Sequence, residues 1–167
     1  KYNDLAGDAK ALVGLSRVHL VTGVLRAEEA VSDQLVRMLP TLPSGEISGK
    51  VHLHLAEVAR RRGALGRRRD FLIRARQEFE QARNREGLSD TLLALGNALM
   101  DPTMNAPDRL NEAGRMFRQA LDLKKALGDR IGVAEAYRNL GQLEIELGNH
   151  DAAESLLHQS LSLHEAL

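Results

Sequence analysis

Histidine is the residue in this sequence best suited to metal or acid–base chemistry. The six histidines are His19, His52, His54, His150, His158 and His164. A metal site on a helix needs histidines four residues apart, so that both rings lie on one face, and no pair here has that spacing. His52 and His54 are two residues apart and point to different sides of a helix. The pattern predicts solvated or core-edge histidines and no metal site.

Catalytic motifs are also missing from the sequence. There is no Gly-x-Ser-x-Gly elbow, no phosphate-binding loop and no His-Glu-x-x-His motif. Ser160 and His164 share a helix face, but they have neither an orienting acid nor an oxyanion hole, so they do not form a triad. The absence of cysteine excludes thiolate nucleophiles and disulfides. We therefore expect no enzymatic activity and no cofactor.

The prominent charge feature is a block of six arginines, Arg60–Arg62 and Arg67–Arg69. Residues 50–85 carry eleven basic and four acidic residues, whereas residues 86–167 carry seven basic and thirteen acidic ones. One interpretation is a basic surface near residues 60–69 for an acidic peptide, a nucleic acid or an anionic lipid. The other is a solvated helix end, on which arginine stems cover apolar surface. Aromatic residues make up only 3% of the chain, which disfavours nucleic acid as the partner.

The elements that carry these residues are helical. Prolines 40, 43, 102 and 107 mark breaks at 39–48 and 101–108, and the sequence between them is rich in Ala, Leu, Arg, Glu and Gln. Apolar residues recur at helical spacing, and no stretch alternates as a strand does. The pattern predicts an all-α chain with helices over 9–22, 26–39, 47–63, 68–84, 88–100, 107–127, 130–147 and 150–165. The insert at 100–108 is expected to be an exposed loop.

Targeting signals are not seen in the sequence. No apolar run approaches the roughly 20 residues of a membrane span, and no leader peptide is recognisable at the first residues. With the absence of cysteine, this favours a cytoplasmic location and no membrane partner. The first residue is Lys, which suggests a segment cut from a longer protein.

Internal repeats unite the helices in pairs. Residues 75–82 and 113–120 both read Ala-x-x-x-Phe-x-Gln-Ala, and residues 92–99 resemble 137–143 around a Leu-Gly step. The pairs cover residues 9–39, 47–84, 88–127 and 130–165, with a period of 38 to 45 residues. Such a pair cannot bury its apolar face alone, so neighbouring pairs are expected to stack.

These pairs resemble tetratricopeptide repeats of a long-period, roughly 40-residue variant. The best copy has Tyr137, Leu140-Gly141, Gly148 and Ala153. The resemblance implies one right-handed α-solenoid of stacked antiparallel pairs over residues 1–167, whose concave face is lined by the first helix of each pair. It further implies a protein–protein interaction module, a scaffold or adaptor that holds a peptide or partner protein in that groove. The alternative is a regulatory or sensor segment of a larger signalling protein or transcription regulator.

The concave-face residues follow from the resemblance together with helical geometry. The residues expected to contact a partner are Lys50, Arg60, Leu93, Asn97, Arg138, Asn139 and Gln142. In peptide-binding members, Asn at the places of Asn97 and Asn139 often bonds to a ligand backbone. Leu93 stands where chaperone-binding members have a Lys that clamps a C-terminal carboxylate, which argues against that type of ligand.

The last helix is not followed by a polar capping helix. Leu156, Leu163 and Leu167 are therefore expected to be partly uncovered. We expect the parent protein to continue with another repeat or a cap, and the isolated segment to self-associate end to end.

Overall fold

The computed structural model describes residues 4–103 and 108–166. Over these residues it contains eight α-helices, a short 3₁₀ turn at Leu39–Thr41 and no strand. The helices are α1 (Leu5–Thr22), α2 (Leu25–Met38), α3 (Glu46–Arg61), α4 (Leu65–Gln81), α5 (Arg85–Leu99), α6 (Arg109–Leu127), α7 (Arg130–Glu146) and α8 (His150–Glu165). The predicted all-α class and all eight helices are confirmed. Of the predicted insert at 100–108, residues 104–107 lie outside the described part, and Pro102, Thr103 and Asp108 are exposed as expected.

The chain divides into two compact units, Lys1–Gly87 and Leu88–Leu167. In the first unit, α1 packs on α2 and α3, and α3 packs on α4. Its core contains Ala9, Val31, Leu35, Val51 and Leu55. Because only short turns join the helices of a pair, consecutive helices run antiparallel.

The second unit contains most of α5 with α6, α7 and α8. Its core joins Leu92 of α5 and Phe117 of α6 to Ala136, Leu140 and Leu143 of α7. Helix α7 packs on both α6 and α8. The expectation of one continuous array over residues 1–167 stays a prediction.

Glycine and capping residues fix a common register for the helix pairs. Gly23, Gly63 and Gly148 follow the first helix of three pairs with φ of 72°, 67° and 79°, a left-handed conformation that costs glycine little. Asp4 and Asp129 both accept a hydrogen bond of 2.9 Å from the amide of the glycine three residues later. Helices α1 and α7 therefore correspond residue by residue, from the cap to the closing glycine.

Candidate functional site

Helix α7 carries the predicted partner-binding residues Arg138 and Gln142 on its exposed side. Leu140 and Leu143 lie on the buried side of the same helix. The guanidinium of Arg138 is 3.8 Å from the carboxylate of Glu135, one turn earlier, and its side chain is 59% exposed. Exposed ion pairs of this kind hold the side chain weakly. Both polar groups are thus free to contact another molecule.

Helix α5 places its two predicted contacts differently. Asn97 is half-buried, whereas Leu93 is only 4% exposed and belongs to the core with Leu92 and Phe117. The expectation that Leu93 faces a partner is wrong, because this leucine packs in the apolar core instead.

Asn139 does not lie on an open surface either. It is 4% exposed, and its Nδ2 has no hydrogen-bond partner among the described residues. A ligand cannot reach this amide while α7 is packed as it is. The helical spacing placed Asn139 beside the polar face, but the folded chain buries it.

A buried lysine forms an ion cluster that the sequence did not reveal. Lys124 of α6 is 5% exposed, and its Nζ lies 2.7 Å from Asp129 Oδ2 and 2.5 Å from Asp90 Oδ1. Burial opposes the charged form, but the bonds to Asp129 and Asp90 outweigh it and raise the pKa of Lys124. The same contact with Lys124, aided by the amide of Gly132, lowers the pKa of Asp129. The cluster fastens α6 to α5 and to the start of α7.

The predicted basic residues of the first unit are mostly occupied within the chain. Lys50 is paired with Glu46, and Arg60 and Arg61 are both paired with Glu57. The hydrogen bond from Arg60 is the largest cause that lowers the pKa of Glu57 to about 2. Lys50 and Arg60 are exposed as expected.

The other four arginines of the block differ in their exposure and their partners. Arg62 bonds to the buried Glu28, and Arg68 is 8% exposed. Four of the six arginines are therefore ion-paired or buried, which leaves fewer of them for an acidic partner. Arg67 and Arg69 are its exposed arginines that make no ion pair with a described residue.

A second polar cluster lies buried between α1, α2 and α3. The Oγ of Ser16 lies 2.7 Å from His54 Nε2 and 3.4 Å from Glu28 Oε1, and Glu28 also accepts bonds from Ser32 and Arg62. Burial, followed by the charge of Arg17, lowers the pKa of His54 to about 4. This cluster was not foreseen from the sequence.

The serine–histidine contact has the spacing of a nucleophile and its base, but not the arrangement of a triad. Glu28 contacts the hydroxyl of Ser16 rather than orienting His54 through its other nitrogen. Ser16 is fully buried, so a substrate has no access to it. At the other end of the chain, Ser160 is also committed, because its hydroxyl donates to the carbonyl of Ala134 at 2.8 Å.

The remaining histidines offer no metal centre in the described ranges, where no group of three or more His, Cys, Asp or Glu side chains is placed to hold an ion. His52 is 5% exposed and donates from Nδ1 to the carbonyl of Ser48 at 2.9 Å, and burial lowers its pKa. The expectation of solvated or core-edge positions is wrong for His52 and His54, which are buried.

None of the helices in the described part is long and apolar enough to cross a membrane.

Comparisons with known proteins agree with this architecture. Residues 107–166 match the sequence model of the Tetratricopeptide repeat family. The resemblance inferred from Tyr137, Leu140, Gly141 and Ala153 is thereby confirmed over this segment of the chain. Such repeats generally mediate protein–protein interactions.

The fold of the chain is also similar to a solved structure, the crystal structure of BtubC (BKLC) from P. vanneervenii. The TM-score is 0.80 at 16% sequence identity, and the match covers 98% of this chain and 65% of BtubC. The chain thus spans slightly less than two thirds of BtubC. A search of curated proteins gives no significant match.

Proposed function

We propose that this chain is a binding module that holds a peptide or an extended segment of a partner protein along the exposed side of α7. The observation that carries this proposal is the pair Arg138 and Gln142, whose polar groups lie exposed one turn apart on the same helix. Asn97 of α5 is half-buried and is proposed as a further contact. The module works by binding alone and acts as a scaffold or adaptor.

The chemistry of the proposed partner follows from the groups on α7. A guanidinium donates to carbonyl or carboxylate oxygens, and an amide both donates to and accepts from a peptide backbone. Glu135 and Glu146 flank them, so the face carries both signs of charge. These groups suit a polar peptide of mixed charge better than a strongly acidic one. Were an acidic partner to bind at residues 60–69, Arg67 and Arg69 would be its contacts.

Selection from a displayed library of random peptides tests this proposal. Peptides that bind the parent chain are then measured against a variant with Arg138→Ala and Gln142→Ala. We expect affinity to fall at least about tenfold, since each lost contact to a charged group is worth about 1.5–3 kcal/mol. The matched control is Arg115→Ala with Gln159→Ala, which changes the same residue types at other exposed positions.

Two results would contradict the proposal. One is the recovery of no binding peptide. The other is an equal loss of affinity in both double variants, because that would place the binding surface elsewhere than α7.

A further inference from the structure

The packing of α7 on α6 shows which surfaces join one helix pair to the next in the second unit. A Cβ at Gly114 of α6 would lie 3.0 Å from Leu143 Cδ2 of α7, and a Cβ at Gly132 of α7 would lie 2.5 Å from the side chain of Lys124. Phe117 is fully buried and Leu121 is 8% exposed in the same core. The contact is close, apolar and closed by the Lys124–Asp129 ion pair.

Helix α8 has the same surface that α6 uses to contact α7, but in α8 this surface is uncovered. Leu157 and Leu161 stand at the positions of Phe117 and Leu121, yet they are 36% and 53% exposed. Together with Ile145 and Ala153 they line an apolar groove. The expected exposure of Leu156 and Leu163 is confirmed in part, since both are half-buried, while Leu167 lies outside the described residues.

Helix α1 has the same surface that α7 uses to contact α6, and in α1 this surface is also uncovered. In the shared register, Leu15 and Val18 stand at the positions of Leu140 and Leu143. Leu15 and Val18 are 45% and 56% exposed, whereas Leu140 and Leu143 are 5% and 1% exposed. Ala11 is exposed at the place of the fully buried Ala136. The chain therefore presents both halves of the contact between α6 and α7.

We propose that copies of this chain associate head to tail, with α1 of one copy (the head) in the groove on α8 of another (the tail). Leu15 and Val18 cover Leu157 and Leu161, as Leu140 and Leu143 of α7 face Phe117 and Leu121 of α6. The occupant of the groove is thus a second copy, because α1 is the element in the described chain that carries the matching surface uncovered.

Polar groups at the edge of the contact also match. His164 stands where α6 has Lys124, and Asp4 and Gly7 stand where α7 begins with Asp129 and Gly132. The imidazole of His164 would therefore meet the carboxylate of Asp4 of the second copy, beside the bare Cα of Gly7. Complementary groups at such a rim set the register of the contact more than its strength.

One difference between α8 and α6 makes the proposed contact weaker than the contact between α6 and α7. Glu154 stands at the place of Gly114, where α7 approaches most closely, and its side chain is 75% exposed. In the proposed contact, Glu154 lies opposite Val18, which is shorter than Leu143. Association is therefore reversible, and Glu154→Ala should strengthen it by removing a carboxylate that association partly desolvates.

Sedimentation velocity over a wide range of protein concentration tests the proposal with Val18→Glu and Leu161→Glu. Each substitution places a charge in one half of the contact. We expect the parent to form a series of oligomers, since a heterologous contact leaves free ends, and each variant alone to be monomeric. An equal mixture of the two variants should form a heterodimer that does not grow, because it contains one intact head and one intact tail. That heterodimer also shows that both variants are folded.

Ile131→Glu is the matched control, because Ile131 is 62% exposed and lies outside α1 and α8. It should associate like the parent. A monomeric parent at high concentration would overturn the proposal. Self-association of Val18→Glu alone would also overturn it, because that result requires a contact that does not use the intact surface of α1.

Discussion

The ring of Phe117 in α6 occupies the space that a side chain at Gly96 in α5 would need. A Cβ at position 96 would lie 2.3 Å from Phe117 Cε1, far inside van der Waals contact. The same relationship recurs between Gly141 of α7 and Leu157 of α8, where the distance to Leu157 Cγ would be 2.8 Å. In both pairs, a large side chain on the second helix fills the space left by a glycine on the first.

Replacing Phe117 with alanine should destabilise the second unit strongly. Phe117 is fully buried, so its loss leaves a cavity between α5, α6 and α7 and should cost about 3–5 kcal/mol of unfolding free energy. Urea denaturation followed by circular dichroism measures the change. Leu127→Ala is the control on the same helix, because Leu127 is 44% exposed. An equal effect of both substitutions would show that Phe117 is not a core residue.

Introducing leucine at Gly141 should overpack the contact between α7 and α8. The new side chain must displace Leu157, at a cost of about 1–3 kcal/mol. Gly66→Leu is the matched control, since a Cβ at Gly66 would meet nothing within 4 Å. In thermal melts, Gly141→Leu should unfold at a clearly lower temperature than Gly66→Leu. If Gly141→Leu melts with or above Gly66→Leu, the register of this pair is wrong.

The sequence allowed the helices to be predicted because they follow from local patterns. Proline breaks and apolar periodicity located all eight helices. The repeated motifs contain Phe117 and Gly96, which the structure packs against each other between α6 and α5. Burial of a polar side chain depends instead on which other helices cover it. Helical spacing put Asn139 among the residues expected to contact a partner, but spacing carries no information on the packing that buries it.

The first pair shows the same limit more sharply. In the common register, Ser16, Glu28 and Ser32 stand where the last pair has Gly141, Ala153 and Leu157. The last pair makes this contact by apolar packing, and the first pair makes it with a hydrogen-bonded carboxylate. Polar residues at helical spacing usually indicate a solvent-facing side, so the sequence pattern pointed away from a buried network.

The buried imidazole of His54 should make the stability of the first unit depend on pH. Its pKa is about 4 in the folded chain, against an ordinary value of 6.5. The unfolded chain therefore binds more protons between these values, and stability falls as pH drops from about 6.5 towards 4. The loss should be about 2 kcal/mol at about pH 5. His52, whose pKa is also lowered, contributes in the same direction.

Urea denaturation at about pH 7.5 and at about pH 5 measures this dependence. The groups that act on His54 are Arg17 of α1, Glu28 of α2 and Glu57 of its own helix. His54→Gln keeps a polar group near Ser16 but does not titrate, so the variant should lose most of the difference between the two pH values. An unchanged difference would assign the effect to other groups.

Removing the carboxylate of Glu28 should destabilise the first unit more than any exposed charge does. Glu28 is 1% exposed and accepts hydrogen bonds from Ser32 and Arg62, and Ser16 lies 3.4 Å away. Glu28→Ala leaves the buried hydroxyl of Ser32 without its acceptor, at a cost of about 1–3 kcal/mol, whereas the guanidinium of Arg62 is exposed enough to be solvated. The control is Glu29→Ala, which removes the neighbouring carboxylate from an exposed position and should change stability by less than about 0.5 kcal/mol.

A double-mutant cycle separates the charge of Glu28 from its shape. Arg62→Met in the parent strands a buried carboxylate without its cation, whereas Arg62→Met in a Glu28→Gln background removes a bond to a neutral amide. The first change should therefore cost at least about 1 kcal/mol more than the second, as measured by urea denaturation. Equal costs in the two backgrounds would mean that Arg62 stabilises α3 without acting on the charge of Glu28.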